Sequence, residues 1–348
     1  MNKHIEKHIL FVGPSERGGI ASVLDTYQTE FQPFHRISTH CSGSKIKKVI
    51  YSMQSYFRII RELLCNKQIS LVHIHTSSYN SFWRKSIVVQ IAKWFEKKIV
   101  LHIHSGAFKE FYAKNAKKAD KVLRKCDLIV CLSKEWKEFF NRIGYKNVEV
   151  VNNPILPPVI ITNNTSDSKF HLLFLGLICQ NKGIYDLVEA LHSHHTVFAG
   201  KLMLHIGGNG EADKLCSLIE QHRLHDIITY EGWVDGNKKI ELMNKANALI
   251  LPSYYEGVPV CLLEAMSYSK PVITTLVGGI PSIVTNGING IEIPIGNPNK
   301  IADAIIHLMN DSQLSARLGN QGKEISKNYL MPVVATHLRE IYSQVLND

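Results

Sequence analysis

Short runs rich in Val, Ile and Leu alternate with amphipathic helical stretches along nearly the whole chain, and this alternation restricts the fold more than any other feature. Strand-then-helix repetition predicts parallel α/β sheets. The clearest strands of a first series are HILFVG (8–13), LVHIHT (71–76), IVLHIH (99–104) and LIVCLS (128–133). Helical pattern fills the spaces from Ile20 to Phe31, Val49 to Cys65, Trp83 to Lys97 and Phe108 to Lys125. The pattern then breaks at Asn152-Asn153-Pro154, at Pro157-Pro158 and at the polar run TNNTSDSK (162–169), which is the composition of a linker.

A second series begins at once. Strands are expected at HLLFLG (171–176), KLMLHIGG (201–208), IITYEG (227–232), ALILPS (248–253), PVITT (271–275) and IEIP (291–294). Helices are expected from Tyr185 to His194, Ala212 to His222 and Lys238 to Lys245. The fold class is therefore α/β, with two doubly wound Rossmann-like domains, residues 1–160 and 161–330, facing across a cleft. A last helix over about 331–348 is expected to pack back on the first domain. In such sheets ligands bind beyond the carboxyl ends of the strands.

Composition removes several classes. Arg or Lys interrupts every long apolar stretch, so no segment approaches the roughly 18 apolar residues of a membrane span. The start, MNKHIEKHILFVG, reads as a first strand and lacks the long apolar segment of a signal peptide. The 7 cysteines are scattered and never spaced C-x-x-C, which argues for free thiols in a cytoplasmic protein. Charge is uneven. Residues 1–155 hold 26 Lys+Arg against 12 Asp+Glu, a net of +14 within a total of +10, so the remainder is slightly acidic. A basic first half suits anionic lipid headgroups or a phosphate-bearing acceptor. Nucleic acid is not expected, since no arginine-rich arm, RNP-like motif or aromatic-basic tract is present. The stretches IKKVIYSMQSYFRIIREL and FWRKSIVVQIAKWFEKK have a composition that suits a helix lying on a membrane. They are read here as helices packed on a sheet with a solvated basic face.

The chemistry is concentrated in SYYEGVPVCLLEAMSYSKPVITT. A strand ends at Ser253, a turn holds Glu256-Gly257, and Pro259 stands where a helix opens, at the first helical position. The helix amino terminus offers unpaired N–H groups and partial positive charge to a diphosphate. Glu256 lies beside that anion site and Glu264 is five residues into the helix, about 7.5 Å along its axis. Two carboxylates at different depths could hold sugar and ribose hydroxyls.

The run E-G-V-P-V-C-L-L-E-A-M, followed by K-P-V-I-T-T, V-G-G-I-P-S-I-V and N-G-I-N-G, resembles the E-x7-E region of the retaining family 4 glycosyltransferases. These have two Rossmann domains in the B-type glycosyltransferase fold. The resemblance covers most of residues 171–309 and extends patchily through the first half. It implies that Glu256 lies against the donor sugar, that Glu264 binds the ribose, and that the amides of Gly257 and Val258 contact sugar and phosphate. Pro259 has no N–H and only shapes the loop.

FLGLICQNKGIYDLVEAL matches the family's strand–glycine–loop–K-G–helix segment, with Gly176 closing the strand and Lys182-Gly183 opening the helix. Lys182 is either the cation that neutralises a leaving diphosphate or a solvated helix start. The family's usual arginine after the glycine is here Leu177. Gly18-Gly19 is a tight turn or, as the resemblance implies, the glycine loop that approaches donor phosphates and acceptor. His73 and His75, and His102 and His104, form two H-x-H pairs, each on one face of a strand. No carboxylate or cysteine with ligand spacing accompanies them, so neither a metal nor any other cofactor is expected. The resemblance places His104 in the donor-sugar pocket. It also aligns Trp233 and Val234 with a loop that cups the nucleobase, although Trp233 reads equally as a core residue. Asn163-Asn164-Thr165 fits a glycosylation sequon.

The resemblance thus implies a retaining enzyme that moves a sugar from a nucleotide-sugar, UDP-sugar favoured, to a saccharide or lipid-linked acceptor in bacterial surface-polysaccharide assembly. Such an enzyme would be cytoplasmic, or peripheral on the inner face of the membrane. A nucleotide-sugar epimerase and a non-catalytic sugar-nucleotide binder are the rivals.

Overall fold

A computed structural model describes residues 5–16, 18–161 and 168–347. The chain forms two compact units: one runs to Ile155 and takes up the chain again from Tyr329, the other is Leu156–Asn328.

The first unit contains β1 (Ile9–Gly13), α1 (Gly19–Gln28), β2 (His35–Ser38), α2 (Lys45–Cys65), β3 (Leu71–Thr76), α3 (Asn80–Trp94), β4 (Lys98–Ile103), α4 (Phe108–Leu123), β5 (Leu128–Cys131), α5 (Lys134–Arg142) and β6 (Val148–Val150). The six strands lie in the order β2-β1-β3-β4-β5-β6, and every pairing is parallel. Helices cover both faces of such a sheet, so its inner strands are buried on both sides and read as unbroken apolar runs. On one face Leu10, Val12, Val72, Ile74, Ile99 and Leu101 join residues of α2, α3, α4 and α5 in a single core. The other face carries Phe11, His73 and His75, which meet the rings of Tyr27 and Tyr342.

The second unit contains β7 (Phe170–Leu175), α6 (Ile184–Ser193), α7 (His195–Phe198), β8 (Leu202–Gly207), α8 (Ala212–Gln221), β9 (Ile228–Gly232), α9 (Gly236–Lys245), β10 (Ala248–Leu251), α10 (Val260–Ser267), β11 (Val272–Thr274), β12 (Gly290–Glu292), α11 (Pro298–Asn310) and α12 (Ser312–Ser326). Its sheet is parallel in the order β12-β11-β10-β7-β8-β9.

The last helix, α13 (Met331–Asn347), belongs to the first unit. It buries Met331, Val334, Ala335, Leu338, Ile341, Tyr342 and Val345, the spacing of one helical stripe. Arg339 donates to the Glu6 carboxylate and to the Glu30 carbonyl, each at 2.9 Å. The unit boundaries fall at 155/156 and 328/329, not at 160/161 and 330/331. Ile155 explains the difference, because its N–H donates to the Tyr329 carbonyl at 2.8 Å and its carbonyl accepts from Met331 N–H at 2.9 Å. From Val159 onward the chain is already bonded to the second unit, through Tyr268 Oη at 3.1 Å and Asn244 at 2.8 and 2.9 Å. All 7 cysteines are free thiols. Among the described residues no helix is long and apolar enough to cross a membrane. The sequon at Asn163 lies outside the described residues.

Candidate functional site

In the second unit β7 and β10 are neighbours, paired at Ala248–Leu172 and Leu249–Leu173. From β7 the sheet continues through β8 and β9, and from β10 it continues the opposite way through β11 and β12. The loops leaving β7 and β10 therefore diverge, and a crevice at such a reversal is where open α/β sheets bind ligands. Lys182 lies in the loop leaving β7 and Glu256 in the loop leaving β10.

Glycines let the two loops close on each other. Gly183 has φ +67°, and a Cβ there would stand 2.0 Å from the Pro252 carbonyl oxygen. Just above it, Tyr254 N–H donates to the Asn181 carbonyl at 2.9 Å. From the far side Gly278, φ +59°, would put a Cβ 1.8 Å from the Glu256 carbonyl oxygen, and Gly279 N–H donates to the Gly257 carbonyl at 2.8 Å. Only glycine satisfies both the backbone angle and the space. Gly278→Ala is accordingly expected to cost on the order of 1–3 kcal/mol through strain at the Glu256 turn. It should depress ligand binding more than it depresses the urea midpoint, which titration and unfolding curves will separate.

This packing holds an ion pair between a half-buried lysine and a buried carboxylate. Lys182 Nζ contacts Glu256 Oε1, and Ser253 Oγ donates to the same oxygen at 2.7 Å. Glu256 is 8% exposed. Cys261 sits in the same field, and burial together with the Glu256 charge pushes its thiol up to about 12, so it is protonated and inert. Lys182 ends a short 3-10 turn, with Gly183 between it and α6. Pro259 caps α10 with extended ψ of 122°, and Val260 is the first helical residue, one position later than expected. The missing N–H still falls where no helical bond needs it.

Glu264 is the fifth residue of α10 and pairs with Lys239 Nζ at 2.5 Å. Burial alone would lower the Lys239 ammonium, yet the Glu264 charge holds it above its ordinary value. Both border a cavity of about 230 Å³ lined also by Leu156, Pro157, Met243 and Tyr268. Lys239 is a functional candidate that sequence reasoning missed, since GNKKIELMNK reads as a solvated helix. Trp233 donates from Nε1 to Asp235 at 2.7 Å, and Val234 is buried against Gly207, where a Cβ would come within 2.8 Å of Val234 Cγ2. Gly176 N–H donates to the Gly207 carbonyl at 3.0 Å, which ties the end of β7 to β8. Leu177 is exposed.

In the first unit the corresponding reversal lies between β1 and β3. Gly18 caps α1 with φ +156°, and a Cβ at Gly19 would meet nothing within 4 Å, so the backbone there is open to a close neighbour. His104 follows β4. Its ring lies between Asn153 Oδ1 at 3.2 Å and His75 Nδ1 at 2.9 Å. Both ring nitrogens are thus committed, and burial pushes the imidazole down to about 3. A proton-transfer role for His104 requires one of those bonds to open.

The family profile described as glycosyl transferases group 1 matches residues 159–325, and that of glycosyltransferase family 4 matches residues 22–157. The chain belongs to this glycosyltransferase family. An uncharacterised glycosyltransferase of Methanocaldococcus jannaschii is 30% identical over 219 residues, 63% of this chain and 60% of that protein. The N-acetyl-alpha-D-glucosaminyl L-malate synthase of Bacillus anthracis is 28% identical over 184 residues, 53% of this chain and 48% of that protein. The chain thus spans about half to three-fifths of these relatives' length. The crystal structure of Anabaena HepE in complex with UDP-glucose superposes with a TM-score of 0.79 at 17% identity, covering 97% of this chain and 99% of that one. Sucrose-phosphate synthase from Thermosynechococcus elongatus gives 0.78 at 17% identity, with the same coverage. The fold is that of the B-type glycosyltransferases.

This family member carries two further clusters in its first unit. His73, His75 and His102 are fully buried, with nitrogens within 4.8 Å of one another. Neutral imidazoles are good metal ligands, but the His73 and His102 rings stand parallel within 1° at 5.4 Å. Their lone pairs lie in parallel planes and do not converge on one point. The cluster fits a stack of neutral rings anchored by His73 on Tyr342 Oη, 2.6 Å away. The second cluster was legible only as a basic interruption in an apolar helix. Lys85 falls on the buried face of α3 with Phe82, Val88 and Val89. Its Nζ has no hydrogen-bond partner among the described residues, and neither has Arg84 Nε. Burial and the Arg84 charge hold Lys85 down to about 7. His40 is lowered by burial and by Arg84, Lys48 and Lys85, against Glu16.

Proposed function

We propose that the protein is a retaining glycosyltransferase that transfers a sugar from a nucleotide-sugar, UDP-sugar favoured, to a saccharide acceptor carrying a phosphate-linked lipid. The observation that carries this reading is the Lys182–Glu256 pair at the sheet reversal, wedged between Gly183 and Gly278. A diphosphate arriving at the start of α10 takes Lys182 and the helix amides as its counter-charge. Glu256 then accepts from sugar hydroxyls, and Glu264, oriented by Lys239, accepts from the ribose. Trp233 and Val234 border the base. The departing diphosphate deprotonates the acceptor on the face it leaves, so an α-linked donor gives an α-linked product. Catalysis is positioning and charge stabilisation by these side chains, and the reading needs no resident metal or cofactor.

The second half serves as the donor domain and the first as the acceptor domain. The buried Lys85 and the half-buried Arg84 support an anionic acceptor, because a phosphate offers a partner to Lys85 Nζ and Arg84 Nε, which have none among the described residues. A lipid-linked acceptor places the enzyme at the inner membrane surface in the assembly of a surface polysaccharide. HepE, of the same fold, was solved with UDP-glucose, which favours UDP as the carrier. Leu177 in place of the family arginine favours a second reading, a sugar-nucleotide binder without turnover.

A thermal-shift series against UDP- and GDP-sugars tests the donor assignment, because a ligand specific for the folded state raises its stability. A UDP-sugar is expected to raise the midpoint, and Glu264→Ala to remove most of that rise. If no nucleotide-sugar shifts the wild-type protein, both readings are wrong.

A further inference from the structure

We infer that α2 is an in-plane membrane anchor whose apolar stripe inserts into the surface of an anionic lipid bilayer. The inference deepens the proposed membrane-linked acceptor and rests on that reading only for its purpose, not for its geometry.

The sequence suggested that this helix buries its apolar side and shows a basic one. The structure corrects that. The side packed on the unit consists of Ser52, Ser55, Ile59 and Leu63. Ile46, Val49, Ile50, Met53, Phe57 and Leu64 are exposed, Ile46 by 73% and Phe57 by 68%. At about 100° per residue these six positions fall within one arc of roughly 100°. They therefore form a stripe over Ile46–Phe57, with Leu64 seven residues further on the same arc, along a helix of 21 residues whose first turn is fixed by Ser44 Oγ accepting from Lys47 N–H at 3.3 Å. An apolar ridge of that length on a water-facing helix marks an interaction surface.

Charge selects the occupant. The helix carries Lys45, Lys47, Lys48, Arg58 and Arg61 against the single acid Glu62, which is 3.5 Å from His35. Lys47, Arg58 and Arg61 flank the stripe on one side, within reach of headgroups once the stripe is immersed. A second copy is a poor fit, because pairing two α2 helices face to face would bring these cations together. α3, which packs on α2, exposes Trp94 by 70%, and Trp favours the boundary between lipid and water.

The test is sedimentation of the full chain with vesicles of phosphatidylglycerol and phosphatidylcholine, and with phosphatidylcholine alone. The wild-type protein is expected to pellet with the mixed vesicles at low salt, and Ile50→Glu with Phe57→Glu to lower that partition at least about tenfold. Arg58→Gln with Arg61→Gln should weaken binding to the mixed vesicles and leave the neutral ones unaffected. All the substituted side chains are exposed, and unchanged circular dichroism will show the fold intact. A wild-type protein that stays in solution, or a double glutamate variant that binds as well as wild type, overturns the inference. So does a wild-type dimer that the glutamate variant splits into monomers. Nucleotide-sugar turnover is expected to be equal in both forms without vesicles. Its absence would strike the transfer reading and leave the anchor standing.

Discussion

Lys182→Ala is expected to lower turnover of the nucleotide-sugar by about 10²–10³, the effect of removing one donor aimed at developing negative charge. With Leu177 standing where the family has arginine, Lys182 is the side-chain cation named at this site for the diphosphate, and the loss should lie in kcat more than in KM. The substitution also strips Glu256, 8% exposed, of its counter-ion. With Lys182 a quarter exposed, the stability cost falls below the about 3–5 kcal/mol of a fully buried pair, but it is enough to imitate a catalytic defect. Glu256→Gln separates the two effects because it keeps an oxygen for Ser253 and removes the charge that needs Lys182. Each single variant should lose activity, while the double variant should recover stability without recovering turnover. A double variant as active as wild type would remove the pair from the mechanism.

The second large effect concerns acid. His73, His75 and His102 are fully buried, and burial is the leading cause that holds all three far below the ordinary imidazole value, His73 down to about 3. In the unfolded chain each titrates near 6.5. Below that pH the unfolded state binds protons that the folded state refuses, so stability falls as pH drops from about 6.5 toward the folded values. Each group contributes up to about 1.4 kcal/mol per pH unit, and three together approach about 4 kcal/mol per unit. Against a total of about 5–15 kcal/mol, the urea midpoint should collapse between about pH 6 and pH 5. His73→Phe with His102→Phe should flatten that dependence. A midpoint unchanged over this range would mean that the stack is protonated or solvated in the native protein.

The sequence discloses strands where burial is two-sided. β3 and β4 are near-continuous apolar runs because helices cover both faces of the sheet. β2, four half-buried residues HRIS at a sheet edge, and β6, three residues, carry no comparable pattern. The Glu256–Glu264 segment was legible through the turn, proline and glycines around it. Lys239 was not, because only the tertiary approach of α9 to α10 gives it Glu264. The domain boundary was misplaced by five residues since Ile155 is held by Tyr329, a partner far along the chain. α2 was misread for a different reason. A helix with apolar residues on one arc and small or apolar residues on another can present either to the sheet, and periodicity alone does not choose.

The central claim is tested most directly by incubating the protein with UDP-glucose and other nucleotide-sugars while following nucleoside diphosphate release and the anomer of the released sugar by proton NMR. Release is expected from at least one UDP-sugar, the α-anomer appearing first, with the rate lost in Glu256→Gln and Lys182→Ala. Release of the β-anomer first, or equal release from wild type and both variants, would contradict it.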